Sequence, residues 1–170
     1  MDEKMKQLVI ESIHDSKEET IEHFRFLLQQ YPYHADTRFV VLEVRGHRGD
    51  FSVDVSAMAG WEEQLMENAY VEHDSDLGGF EFSSLSKLNR KEILKELDVV
   101  EEIDAFTKDY LVPFFQECFN ETGGKSSKIP YYLFYPNSGE TYDLIKESWI
   151  DPSSRRSNFG DSRSVRKDRE

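Results

Sequence analysis

The sequence predicts an α+β domain: a mainly antiparallel sheet of about four strands, built as two hairpins, with helices packed on one face. Three observations lead there. Two β-rich runs, FVVLEV (Phe39 to Val44) and FSVDVSA (Phe51 to Ala57), are joined by a link holding two glycines. A second pair of β-rich runs flanks Pro136-Asn-Ser-Gly139, within YYLFYPNSGETYDLI (Tyr131 to Ile145). Proline fixes φ there, and Asn and Gly tolerate the tight backbone. Before and between these pairs the apolar residues recur at helical spacing, so the order is helix, two strands, helices, two strands.

The first helical segment runs from Met5 to Tyr31. Ile10, Ile13, Ile21, Phe24, Leu28 and Tyr31 follow steps of three and four, with Lys17 filling the one gap. Ser16-x-x-Glu19 has the capping-box pattern, which divides the segment near Asp15. Pro32 ends it, because the residue before a proline is pushed out of the α region.

FVVLEV is almost continuously apolar, as expected of a strand covered on much of both faces. In FSVDVSA the pattern alternates. Phe51, Val53, Val55 and Ala57 point one way, while Ser52, Asp54 and Ser56 point the other. One face of the sheet should therefore meet water.

A short helical segment is expected from Trp61 to Tyr70. VEHDSDLGGFEF (Val71 to Phe82) then reads as a polar connection, since Asp74, Ser75, Asp76, Gly78 and Gly79 are turn residues. Ser84 to Thr122 reads as mostly helical. Asn89-x-x-Glu92 and Asp98-x-x-Glu101 predict a short helix followed by a longer one. Ile103, Phe106, Tyr110 and Phe114 give the longer helix its buried stripe, and Pro113 should kink it. Gly123-Gly124 stops it. Trp149 and Ile150 are expected to close the core.

Residues 1–150 are expected to form one globular domain, and 151–170 a flexible, polar, Ser/Arg-rich tail. Truncation at Asp151 should change stability by only about 0.5 kcal/mol, leaving the melting temperature within a few degrees. A large loss would show that Phe159 or Val165 docks on the core.

The charge is lopsided, with 34 acidic against 21 basic residues and a net −13. The tail holds six Lys/Arg and four Asp/Glu, which leaves 30 acids against 15 bases before it. A domain this acidic repels phosphate backbones and anionic lipid headgroups, and it attracts basic proteins. Nucleic-acid and membrane binding are therefore not expected. The single cysteine, Cys118, allows no internal disulfide. With no secretory h-region after Met1 either, the expected location is cytoplasmic.

No catalytic or cofactor motif completes itself, and no cofactor is expected. Counting an EF-hand from Asp74 puts Gly79 at position 6 but Leu85 at position 12, where the bidentate Glu belongs. His73, Asp74 and Asp76 are the candidates for a metal-dependent hydrolase, but they lack further ligands nearby. His14 and His23 lie nine residues apart, half a turn out of helical register. Cys118, on a buried helix face among acids, should have a raised pKa. Gly123-Gly-Lys-Ser126 ends like a phosphate loop but follows a helix instead of a strand. Acid pairs such as Glu62-Glu63 and Glu101-Glu102 read as solvated helix faces.

The composition thus favours a non-enzymatic binding protein that neutralises or regulates a basic protein. In this it resembles toxin-neutralising immunity proteins by type, with no motif assigning it to them. The contact candidates are Asp54 on the open sheet face, Glu101 and Glu102 on the long helix, and Tyr131, Tyr135 and Tyr142 as aromatic anchors. A metal-dependent hydrolase and a homo-oligomeric (for instance homodimeric) structural or regulatory domain are the alternatives.

Overall fold

The structure is a computed structural model that describes residues 1–61, 71 and 77–151. Helices α1 (Glu3–His14) and α2 (Lys17–Gln29) lead into strands β1 (Phe39–His47), β2 (Asp50–Met58) and β3 (Gly79–Ser83). Helices α3 (Arg90–Ile93) and α4 (Leu97–Glu121) follow, then a 3-10 turn (Gly124–Ser126). Strands β4 (Tyr131–Tyr135), β5 (Glu140–Asp143) and β6 (Ser148–Trp149) complete the sheet. The expected helix over 61–70 and the His73-Asp74-Asp76 segment fall mostly or wholly outside the described residues, as does the tail from Pro152.

The protein is α+β, and its sheet is larger than expected and mixed: six strands in the order β3-β2-β1-β4-β5-β6. β1 and β4 run parallel, and every other neighbouring pair is antiparallel. The parallel join follows from the connection. A parallel neighbour needs a crossover, and α4, at 25 residues roughly 37 Å long, supplies one.

β3 corrects the reading of VEHDSDLGGFEF as connection throughout. Phe80 and Phe82 alternate with Gly79 and Glu81, and this period of two puts both rings into the core beside Val53 and Phe51. Gly79 pairs with Asp54, and a Cβ there would lie 2.7 Å from the Val53 carbonyl oxygen. β6, at two residues, is too short to carry a periodic signal.

The α1–α2 break falls at Asp15–Ser16, as the capping pattern suggests, but the serine does not cap. Its hydroxyl donates to the Glu81 carbonyl at 3.3 Å, tying the helical joint to the β3 edge. α4 continues through Pro113, whose ring faces solvent. It stops at Gly123, whose φ of +78° is the left-handed conformation of a glycine after a helix.

The buried residues of α1, α2 and α4 form one apolar cluster with Val40, Leu42, Val44, Val53, Val55, Phe80, Leu133 and their neighbours on one sheet face. Phenylalanines carry its centre. Phe115 has the rings of Phe24, Phe80, Phe82 and Phe114 all within 5.8 Å, mostly edge to face. On the opposite face a smaller cluster holds Phe39, Val41, Met58, Trp61, Tyr132 and Phe134, with Ile150 against it.

The β1–β2 hairpin is tighter than the six-residue link its sequence suggests. Its two central residues, Arg48 and Gly49, have φ of +55° and +83°, the positive pair of a type I′ turn. Asp104 on α4 accepts from both turn amides at 2.8 Å, locking the hairpin to the helix layer. Ser84 adds a third tie, donating its amide to the Gly49 carbonyl at 2.8 Å.

Candidate functional site

The strand register assigns every side chain of the open face. Phe39, Val41, Glu43, Arg45 and His47 of β1 share it with Asp50, Ser52, Asp54, Ser56 and Met58 of β2. The Phe39 end is apolar and covered; the His47 end is polar. There an open recess of about 980 Å³ is lined by Glu43, Arg45, His47, Asp50, Ser52 and Glu81 among others, with Pro136 and Asn137 of the β4–β5 turn at its rim.

Charge within this region is unevenly compensated. Glu43 and Asp54 are directly opposed across β1 and β2, and like charges so placed repel. Arg45 answers both: its guanidinium donates to Glu43 at 2.8 and 2.5 Å and lies 3.9 Å from Asp54. Glu43 retains 13% side-chain exposure and Asp54 63%. Asp50 is held by a two-pronged Arg90 contact at 2.9 and 2.6 Å. That hydrogen bonding keeps the Asp50 carboxyl below its ordinary pKa. Glu81 stands exposed one strand further out, opposite Ser52.

The other residues singled out in the sequence are scattered. Glu101 is exposed, while Glu102 contacts the Met1 amino group. Tyr131 and Tyr135 are core side chains, 1% and 8% exposed. The Tyr131 hydroxyl lies 2.7 Å from that of Tyr33, and Tyr135 donates to the Lys108 carbonyl at 2.7 Å. Burial pushes the Tyr131 phenol up to about 12. Tyr142 is half-buried. The expectation that Trp149 closes the core is not met: Trp149 is 53% exposed, and only Ile150 docks on a cluster. Sequence reasoning misplaced Trp149, and Tyr131 and Tyr135, offered as contact anchors, are core side chains instead. The position of Trp149 on a two-residue strand has no local signature.

Other chemistry-bearing groups have structural partners. His14 Nε2 lies 2.8 Å from the Tyr110 hydroxyl, and His23 Nε2 lies 2.7 Å from the Leu77 carbonyl oxygen. Cys118 is fully buried, and burial pushes its thiol up to about 12. Lys125, of the phosphate-loop-like tetrapeptide, pairs with Glu147 at 2.8 Å. Among the described residues no group of three or more His, Cys, Asp or Glu is placed to hold a metal ion. His73, Asp74 and Asp76 lie outside those residues. No described helix is long and apolar enough to cross a membrane. No family model matches the chain, and neither the curated proteins nor the solved structures yield a match.

Proposed function

We propose that the chain is a cytoplasmic, non-enzymatic binding protein that neutralises or regulates a basic protein, engaging it through the polar end of the open sheet face. The observation behind this reading is the Glu43–Asp54 cross-strand pair, with Glu81 on the next strand and Arg45 between the first two. Glu43, Asp54 and Glu81 against Arg45 leave this patch with excess negative charge, which an incoming Lys or Arg offsets. The net −13 of the chain extends that attraction to long range. Glu101 and the other exposed α4 acids lie on the helix layer across the sheet and would contribute long-range steering only.

The test is capture of the partner, followed by association kinetics at two salt concentrations. The on-rate should fall as salt rises, because screening shortens the field to about 8 Å at physiological strength. Asp54→Lys with Glu81→Lys should cut the on-rate about tenfold and change the off-rate less. Recovery of only neutral or acidic partners, with salt-independent association, would overturn the reading. So would stoichiometric metal retained through purification and lost in His73→Ala.

A further inference from the structure

We propose that the chain's own basic tail, residues 152–170, returns over the open sheet face and lays Arg155 and Arg156 against Glu43 and Asp54. The acidic patch is then occupied in the free protein, and a basic partner must displace the tail to reach it. That competition rests on the function proposed above; the docking of the tail does not.

The first observation is where the chain leaves the sheet. Ile150 donates its amide to the Thr141 carbonyl at 2.8 Å, which carries the β5–β6 register one residue further. Thr141 pairs with Phe134, Phe134 with Glu43, and Glu43 with Asp54. Ile150, Glu43 and Asp54 therefore stand in one row across the sheet. They also share a face, since Ile150 packs on the open-face cluster of Phe39, Tyr132 and Phe134. With strands about 4.8 Å apart, Glu43 lies three spacings from Ile150, about 14 Å, and Asp54 about 19 Å.

The second observation is direction. β6 runs antiparallel to β5, β5 antiparallel to β4, and β4 parallel to β1. The chain thus leaves Ile150 in the same sense as Phe39 to His47, toward the polar end of the face. The β4–β5 turn, whose Pro136 and Asn137 rim the recess, lies at that same end. An extended residue spans about 3.4 Å, so Arg155 reaches about 17 Å from Ile150 and Arg156 about 20 Å. The first two cations of the tail are the ones whose reach matches the two carboxylates.

The third observation is charge. Residues 152–160 contain Arg155 and Arg156 and no acid, and 152–170 hold six Lys/Arg against three Asp/Glu. Asp54, 63% exposed and 3.9 Å from Arg45, is open to a further guanidinium. A tether this short holds the arginines at an effective concentration of about millimolar, so contacts too weak to retain a free peptide are populated within one chain. Two exposed ion pairs add little to folding, in keeping with the small stability change expected on truncation at Asp151.

The test uses the full chain. Cys118 is fully buried, so a nitroxide attached through Ser157→Cys labels one site. NMR then reads the broadening of backbone amides near the label. The amides of Glu43, Arg45 and Asp54 should broaden, and that of Glu101, across the sheet on α4, should not. The effect should vanish in about 1 M salt, where the screening length falls to about 3 Å. It should drop about threefold in Arg155→Glu/Arg156→Glu and in Asp54→Lys, and Glu101→Lys should leave it unchanged. Absent, salt-indifferent or face-independent broadening would overturn the inference. So would broadening of nitrogen-15 chains by spin-labelled chains of natural isotope abundance mixed with them, since the tail would then dock on a second copy. Against a captured basic partner, Arg155→Glu/Arg156→Glu should raise affinity about threefold, and unchanged affinity would overturn the competition. If a basic partner binds with salt-dependent kinetics but the label is silent, the docking fails and the proposed function stands. If the label reports docking but no basic partner is recovered, the failure belongs to the function alone.

Discussion

Phe115→Ala is expected to lower stability by about 3–5 kcal/mol, the range for truncating a fully buried phenylalanine. Phe115 is 0% exposed, and its ring is bordered by four others contributed by α2, β3 and α4 itself. Removing it opens a void between the helix layer and the edge strand. Phe24, Phe80 and Phe82 are themselves fully or almost fully buried, which leaves them little room to collapse into it. Against a typical total of roughly 5–15 kcal/mol, such a loss should depress the melting temperature by about 10 °C. Phe26→Ala is the internal comparison: at 36% exposure it should cost about 1 kcal/mol or less. Urea denaturation of the two variants decides the matter. Equal midpoints would mean that the phenylalanine cluster does not hold helix layer and sheet together.

Gly49→Ala should cost about 3 kcal/mol, while Gly139→Ala at nearly the same backbone angle should cost about 1 kcal/mol. The two glycines have φ of +83° and +74°, so both substitutions incur the left-handed penalty. Their surroundings differ. A Cβ on Gly49 would lie 2.5 Å from Leu85 Cγ, in a side chain only 2% exposed, whereas one on Gly139 meets nothing within 4 Å. Strain at Gly49 would also displace the amides that Asp104 holds, loosening the hairpin end that carries His47 and Asp50. Thermal denaturation of both variants reads the difference. Similar losses would place the whole cost in the backbone and remove Leu85 from the account.

Much of the fold was legible because it is written in local periodicity. The alternation of Phe51, Val53, Val55 and Ala57 fixed which face of β2 is buried, and placed Asp54 on the open side. The proline-asparagine-serine-glycine turn fixed the second hairpin, and Gly123 fixed the end of α4. Each is a backbone preference or a spacing that needs no distant partner.

The rest depended on contacts far apart in sequence. β3 and β6 become strands because β2 and β5 offer them edges; five and two residues are too few to declare themselves. That β4 lies parallel to β1 was set by where α4 returns the chain. The same applies to the candidate site. The sequence by itself determined the acidity of the chain and the outward direction of Asp54. Only the tertiary structure set Glu43 directly against it, buried Tyr131 and Tyr135, and left Trp149 half exposed on the last strand of the sheet. Periodicity reports which way a side chain points; burial depends on what the remainder of the chain lays over it.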